Sequence, residues 1–529
     1  MSEESKKRLS RRRFVTLTGG ALVASGILAA CGDNTATTAP AAATTAAGSA
    51  TTAAGSATTA AAGATTAAAT TAAAGATTAA AGATTAAAPA PTATPYPTVA
   101  QAAGSTKIVF WHGFTGFNAG ILQQIVNKYN TTQQKYYVQT VANSNYDDTI
   151  AKFRTALAGG DLPNVVQIYD IGTQAMIDTK KIIPVSDFIA KDNQQAIVDD
   201  IEPAVASYYT VNKVLYSMPL NSSTPVMYYN KAAFKEVGLD PDKPPTTFSA
   251  VMDAAKKLVK KDGDKITRGG VDFSLYGWIL EQEHAEQGAL LAEPDNGRSG
   301  TRANKLVFNG EAGQTYLNFL KSILDNGLGR SWGRHSGTTA NTTIASNFAT
   351  GQTAMTFESI ATLRSFISSA ASSGKGVDVG VAPLPKPDNA PGGVIIGGAS
   401  IWITTQGDAN TQAGAWDFVK FTAQPEQQSF FASNTGYYPT RKAAYNLQEM
   451  KDALAKYPQF QVAIDQLHNT KASPATAGAV FGSFSGSRQN VEAAMDNFMT
   501  GKASSAKAAL DDAANKENDR LTEYNSTVK

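Results

Sequence analysis

KIVFW (107–111), ILQQIVNKY (121–129), YYVQTV (136–141), YDDTIAKFRTAL (146–157) and NVVQIYD (164–170) are the stretches that decide the fold class. The first, third and fifth are rich in β-branched and aromatic residues, as buried strands are. In the second, Ile121, Leu122, Ile125, Val126 and Tyr129 recur at the spacing that lines one side of a helix. That pattern predicts a helix over 119–130, and a further helix is predicted over 146–157. Strand, helix, strand, helix, strand in this order marks an α/β lobe with a largely parallel sheet. GGDLP (159–163) is the turn into the third strand. It leaves Asp170 at that strand's carboxyl end, where open α/β sheets bind ligands.

Working outward, the pattern changes at SMPLNSS (217–223) to an extended crossing, and a helix-rich stretch runs on to about residue 375. A second extended crossing near 381–391 precedes a strand over 399–404. A chain that leaves one lobe, builds another and returns makes two lobes joined by several strands, with a hinge-closing cleft between them. On this reading 106–218 and 392–430 form the first lobe, and 223–385 and 437–529 the second. About 424 residues from Thr106 onward are ample for two cores.

Upstream of this body lie two segments of other kinds. SRRRFV (10–15), an apolar stretch and LAAC (28–31) open the chain, and Cys31 is its one cysteine in 529 residues. The first motif resembles a twin-arginine export signal. The last is similar to a bacterial lipobox, whose cysteine is lipidated and becomes the new N-terminus. The apolar stretch 14–30 is shorter than the roughly 20 residues a spanning helix needs, and it contains Gly19, Gly20 and Gly26. Residues 1–30 are therefore expected to be a cleaved signal. Lipidated Cys31 would then tether the protein to the extracytoplasmic face of a cell membrane, with no cysteine left for disulfides. Residues 34–105 are almost wholly Ala, Thr and Gly, carry no charge and repeat units such as TTAAGSA. Threonine pairs and glycines work against a helix. Residues 31–105 thus read as the lipidated cysteine plus a disordered tether, whose r.m.s. reach as a flexible coil is about 45–50 Å.

Residues 1–33 hold six basic and three acidic side chains, so the rest of a chain of net charge +2 carries about −1. A neutral body argues against nucleic acid as a partner. His112, His284, His335 and His468 are too scattered for a metal set, and near-consecutive placement keeps Glu281, Glu283 and His284 from converging. SSAK (504–507) formally matches Ser-x-x-Lys, but its order and spacing are wrong for a penicillin-recognising enzyme, and an exposed helix start accounts for it. Gly327, Gly329 and Gly333 miss the dinucleotide fingerprint and follow no predicted strand. No catalytic set, metal or cofactor is indicated, which favours a binding protein over an enzyme.

Two further stretches carry a resemblance. One is SMPLNSSTPVMYYNK (217–231), continuing through GLDPDKPPT (238–246); the other is IIGGASIW (395–402), followed by TGYYPT (435–440). From about residue 107 to about residue 523 the chain resembles extracellular solute-binding proteins of ABC importers in the maltodextrin-binding superfamily. Within them it is most similar to the glycerol-3-phosphate-binding branch. The resemblance implies a two-lobed α/β periplasmic-binding-protein fold of type II, with hinge crossovers and an interlobe ligand cleft. It also implies no catalysis, a monomer, and delivery of solute to a permease pair driven by a cytoplasmic ATPase.

Binding roles carry over to Tyr146, Asp170, Ser223, Trp278, Ser359, Gly397, Gly398, Tyr437 and Arg488. Leu275 stands where the family has a second tryptophan, and Asp170 where members often have Glu. Arg488 is expected to fork onto a phosphate, helped by Ser223, Ser359, Tyr437 and the Gly397 N–H. Asp170 would accept from glycerol hydroxyls, Tyr146 would bridge, and Trp278 would cover the carbon chain. Leu275 and the short Asp170 leave more room in the cleft. The expected ligands therefore extend from glycerol-3-phosphate to a glycerophosphodiester such as glycerophosphocholine. The alternative is a neutral sugar or oligosaccharide binder, which has less use for Arg488.

Overall fold

The structure, a computed structural model, describes residues 99–336 and 339–528. The signal, Cys31 and nearly all of the tether lie outside the described residues. β1 (Thr106–His112) alternates and buries Ile108, Phe110 and His112 on one face. α1 (Gly116–Thr132) packs Ile121, Leu122, Ile125, Val126 and Tyr129 into the same core. β2 (Tyr136–Ala142) is parallel to β1, in register from Thr106↔Tyr136 to His112↔Ala142. α2 (Tyr146–Gly159) starts where the Asn145 side chain accepts the Asp148 N–H, and stops where Gly160 turns left-handed at φ 77°. β3 (Val165–Tyr169) is buried at every residue and parallel to β1. Asp170 follows directly, at the start of a single 3₁₀ turn.

The first sheet is less parallel than expected. Strand Gly397–Thr404 joins β3 antiparallel through Ala399↔Tyr169, and carries Ile182–Ile183 and Met218–Ser223 antiparallel in turn. The cause is topological. This strand arrives from the other lobe, so no helical crossover on its own lobe imposes a parallel direction. The second sheet runs Gly329–Arg334, Lys265–Leu275, Thr353–Ser359, Pro225–Asn230, Val379–Pro383. Lys265–Leu275 is parallel to the two neighbours in this order and antiparallel to the short strand Lys260–Asp262, while Pro225–Asn230 is antiparallel to both of its neighbours.

The chain changes sheets abruptly: Ser223 ends a first-sheet strand and Pro225 opens a second-sheet one. It returns between Pro383 and Gly397. The third passage lies later than the sequence reading places it. Residues 437–456, assigned there to the second lobe, pack on the first. The Tyr438 N–H donates to the Ser222 carbonyl (3.1 Å), and Arg441 pairs with Asp200 (2.8 Å). Helix Gln448–Lys456 rests on helix Pro425–Asn434, and only helix Gln459–His468 moves to strand Val379–Pro383. The extended, proline-bearing TGYYPT looks like the other crossings, but its pairing with Ser222 keeps it in the first lobe. The lobes touch, since Ile150, Phe153 and Tyr169 of the first share an apolar cluster with Trp278 and Phe484 of the second. Among the described residues no helix is long and apolar enough to cross a membrane.

Candidate ligand-binding cleft

β3 delivers Tyr169, and Asp170 just after it, to the carboxyl end of the first sheet's strands, and the start of α2 delivers Tyr146 beside them. The Tyr146 and Tyr169 rings stack with centroids 5.5 Å apart at 25°. The Tyr146 hydroxyl accepts from Asn221 Nδ2 (3.2 Å) and lies 3.4 Å from the Tyr437 hydroxyl. Gln167 Nε2 donates to Asn221 Oδ1 (3.1 Å). Phe114 and Phe431 brace the Tyr437 ring at 6.0 and 5.7 Å. Asn221 thereby ties together side chains from α2, β3 and the TGYYPT segment.

At the crossing, Ser359 Oγ donates to Ser223 Oγ (3.0 Å) and accepts the Ala361 N–H (3.1 Å). A Cβ on Gly397 would lie 2.4 Å from Cζ2 of Trp278, and one on Gly398 2.2 Å from the Asn221 carbonyl oxygen. Gly398 also has φ 120°. Both positions therefore exclude a side chain. Trp278 is the second residue of helix Gly277–Glu286, and its buried Nε1 has no acceptor among the described residues.

Arg488, on helix Phe484–Met499, does not stand free. Its Nε and Nη2 each donate to Glu281 at 2.7 Å, and Nη2 lies 3.6 Å from Asp170 Oδ2. The sequence reading treated Arg488 as the one fixed charge of the site and Glu281 only as part of a failed metal cluster. Glu281 follows Trp278 by one helical turn, so a shared face was readable; a partner 207 residues away was not. Burial pushes the Asp170 carboxyl up to about 6, with Arg488 pulling it back. Burial likewise raises Glu281 against the same guanidinium, and raises Glu358 to about 7. Burial alone would lower Arg488, yet Glu281 and Asp170 hold it charged. His335, 4.0 Å from Glu358, is pushed down to about 4 by burial and by Arg488, and is neutral.

Leu275, expected in the cleft wall, is 0% exposed and packs into the core. The next residue, Tyr276, stacks on His335 at 3.6 Å and lies 5.6 Å from the Trp278 ring. The room expected beside Leu275 is not open in this arrangement. The cavity left beside Asp170, Trp278 and Glu281 measures ≈ 10 Å³, about the space of one water. Of the abandoned metal cluster, Glu281 turns to Arg488, while His284 meets the Leu280 and Phe308 carbonyls at 2.8 and 3.2 Å.

Outside the crossings the lobes are bridged. Asp178 of the first lobe accepts Nη1 and Nη2 of Arg302 (2.7 and 2.8 Å) and the Tyr524 hydroxyl (2.9 Å), both from the second. Arg154 Nη2 donates to Ser485 Oγ (3.3 Å). The crossings and these cross-lobe bridges together join the two lobes as a hinged pair.

The family described as bacterial extracellular solute-binding protein matches residues 124–462, a span that holds both crossings between the sheets. The chain belongs to that family. Among its relatives are proteins named sn-glycerol-3-phosphate-binding periplasmic protein UgpB. That of Escherichia coli K12 is 33% identical over 437 residues, covering 82% of this chain and 96% of the relative. That of Yersinia pseudotuberculosis is 33% identical over 418 residues, covering 78% and 91%. In structure the chain is similar to UgpB from Mycobacterium tuberculosis in complex with glycerophosphocholine, with TM-score 0.64, 23% identity and coverage of 80% and 100%. It is also similar to the sugar-binding protein MalE from Xanthomonas citri, with TM-score 0.63, 21% identity and coverage of 80% and 99%. These family members share the two-lobed fold, and they are binding proteins, not enzymes.

Proposed function

We propose that the protein is the substrate-binding component of an ABC importer. It captures glycerol-3-phosphate or a glycerophosphodiester such as glycerophosphocholine by hinge closure and delivers it to a permease pair driven by a cytoplasmic ATPase. It is held at the outer face of the membrane through lipidated Cys31. The observation that carries this reading is the gathering of Tyr146, Asp170, Ser223, Ser359, Tyr437, Trp278 and Arg488 about one interlobe space, in a chain 33% identical to glycerol-3-phosphate-binding relatives. In the proposed mode Asp170 accepts from glycerol hydroxyls. Nη1 of Arg488, the serine hydroxyls and the Tyr437 hydroxyl donate to phosphate oxygens. Trp278 covers the carbon chain.

A second reading, a neutral sugar or oligosaccharide binder, is favoured by one observation: Glu281 already meets the charge of Arg488. Thermal unfolding with glycerol-3-phosphate, glycerophosphocholine and maltotriose separates the two. A rise with either phosphate compound and none with maltotriose supports the first. A rise with maltotriose alone overturns it.

A further inference from the structure

Glu281 lies outside every role that the family resemblance implies, yet it holds the guanidinium of the site. Its oxygens take Nε and Nη2 of Arg488 at 2.7 Å each, which leaves Nη1 to meet a ligand. Asp170 lies on the same guanidinium at 3.6 Å. Two further carboxyl groups lie nearby. Glu358 accepts the Ser359 N–H (2.7 Å) and lies 4.0 Å from neutral His335. Glu492, about one turn beyond Arg488 on the same helix, accepts the Gly277 N–H (3.1 Å) and the N–H and hydroxyl of Ser336 (2.8 and 3.0 Å). Glu281 and Asp170 thus give the guanidinium two acidic partners before any ligand arrives.

Resting on the ligand reading above, we propose that Glu281 is a specificity-determining residue. By neutralising Arg488 it turns the cleft against phosphomonoester dianions and toward glycerophosphodiesters whose own cation brings their net charge to zero. A phosphomonoester carries about −1.5 to −2 at neutral pH, whereas a phosphodiester carries one negative charge. In a cleft shut off from water, like charges oppose one another far more strongly than they do in solution. A cationic headgroup reverses that sign for Asp170 and Glu281. Geometry sets the approach: Glu281 takes the Nε–Nη2 side of the guanidinium, so a ligand meets Arg488 on its remaining edge with Glu281 and Asp170 beside it.

Calorimetric titration of the full wild-type protein with a charge series tests this: glycerophosphocholine (net zero), glycerophosphoglycerol (one negative charge) and glycerol-3-phosphate. Affinity should fall along the series, by at least about tenfold from first to last. Glu281→Gln should strengthen glycerol-3-phosphate binding at least about tenfold relative to glycerophosphocholine. Glu281→Asp, which keeps the charge, should keep the wild-type order. Thermal unfolding without ligand checks that each variant folds; should the Gln variant not fold, the wild-type series still decides. Equal affinity along the series, or an equal change for every ligand in Glu281→Gln, overturns the charge reading alone. Binding of none of the three by the wild type overturns it together with the ligand reading.

Discussion

Arg302→Ala cuts the bridge between the lobes at its charged end. The Asp178 side chain is 7% exposed and Arg302 38%. Removing one partner of a fully buried pair costs about 3–5 kcal/mol. Arg302 is partly solvated, so water takes over some of the pairing, and we expect about 1–2 kcal/mol. The bridge joins the first lobe to the second and exists only while they meet. Its loss should therefore fall on closure and leave the folding of either lobe untouched. Ligand binding is linked to closure, so affinity should weaken about five- to thirtyfold, carried mainly by faster dissociation. Tyr524→Phe removes one hydrogen bond to the same carboxylate (2.9 Å) and should cost about 1 kcal/mol. The two changes should not add, because they share Asp178. Stopped-flow and calorimetric titration with glycerophosphocholine measure the effect, alongside thermal unfolding without ligand. An Arg302→Ala dissociation constant within twofold of wild type refutes the reasoning. So does a loss that appears wholly as a lower ligand-free Tm.

Stability should fall as pH rises from about 4.5 to 7, because Glu358 and Asp170, raised by burial to about 7 and about 6, keep protons that the unfolded chain releases. Urea midpoints across that range read the slope; Glu358→Gln should flatten its upper part, and an unaltered slope contradicts the assignment to Glu358. Cys31→Ala should move the protein from the membrane fraction to the soluble one, and unchanged partitioning contradicts the lipid anchor.

The first lobe was legible because its signals are local. Hydrophobic spacing in 119–130 and 146–157, the Gly160 stop and the strand before Asp170 each concern neighbours in sequence, and each element is present. What failed was long-range. The antiparallel return of Gly397–Thr404 depends on where the chain has been. The first-lobe packing of 437–456 depends on Ser222 and Asp200, far upstream. The site divides in the same way. Residue types at strand ends and at the glycine pair could be read, since Gly397 and Gly398 are demanded by close backbone approach. The charge balance could not: Glu281 meets Arg488 across 207 residues and Asp178 meets Arg302 across 124. Leu275 was misread because a substitution from Trp suggests a void, whereas the fold buries Leu275 and stacks Tyr276 on His335 beside it.

The chemistry and the mechanics of the cleft ride on the same elements. Asp170 begins the turn that leads into helix Thr173–Asp178, whose last residue carries the bridge to Arg302 and Tyr524. In the other lobe, helix Phe484–Met499 carries Ser485, which meets Arg154, and Arg488 one turn further on. A short helix and one helical turn transmit position rigidly, so a ligand that engages Asp170 and Arg488 together aligns the groups that bridge the lobes. A ligand that touched only one wall would leave those groups apart and gain nothing from them. On the proposed reading, selection is therefore made twice by the same closure. The ligand must engage Asp170 and Arg488 together, which stand 3.6 Å apart across the lobes, and it must carry a charge that the Asp170–Arg488–Glu281 cluster accepts when water is gone. Hydroxyl contacts alone admit sugars, and charge alone admits small zwitterions. Requiring both in one movement is what a glycerol joined to a second headgroup through a diester satisfies.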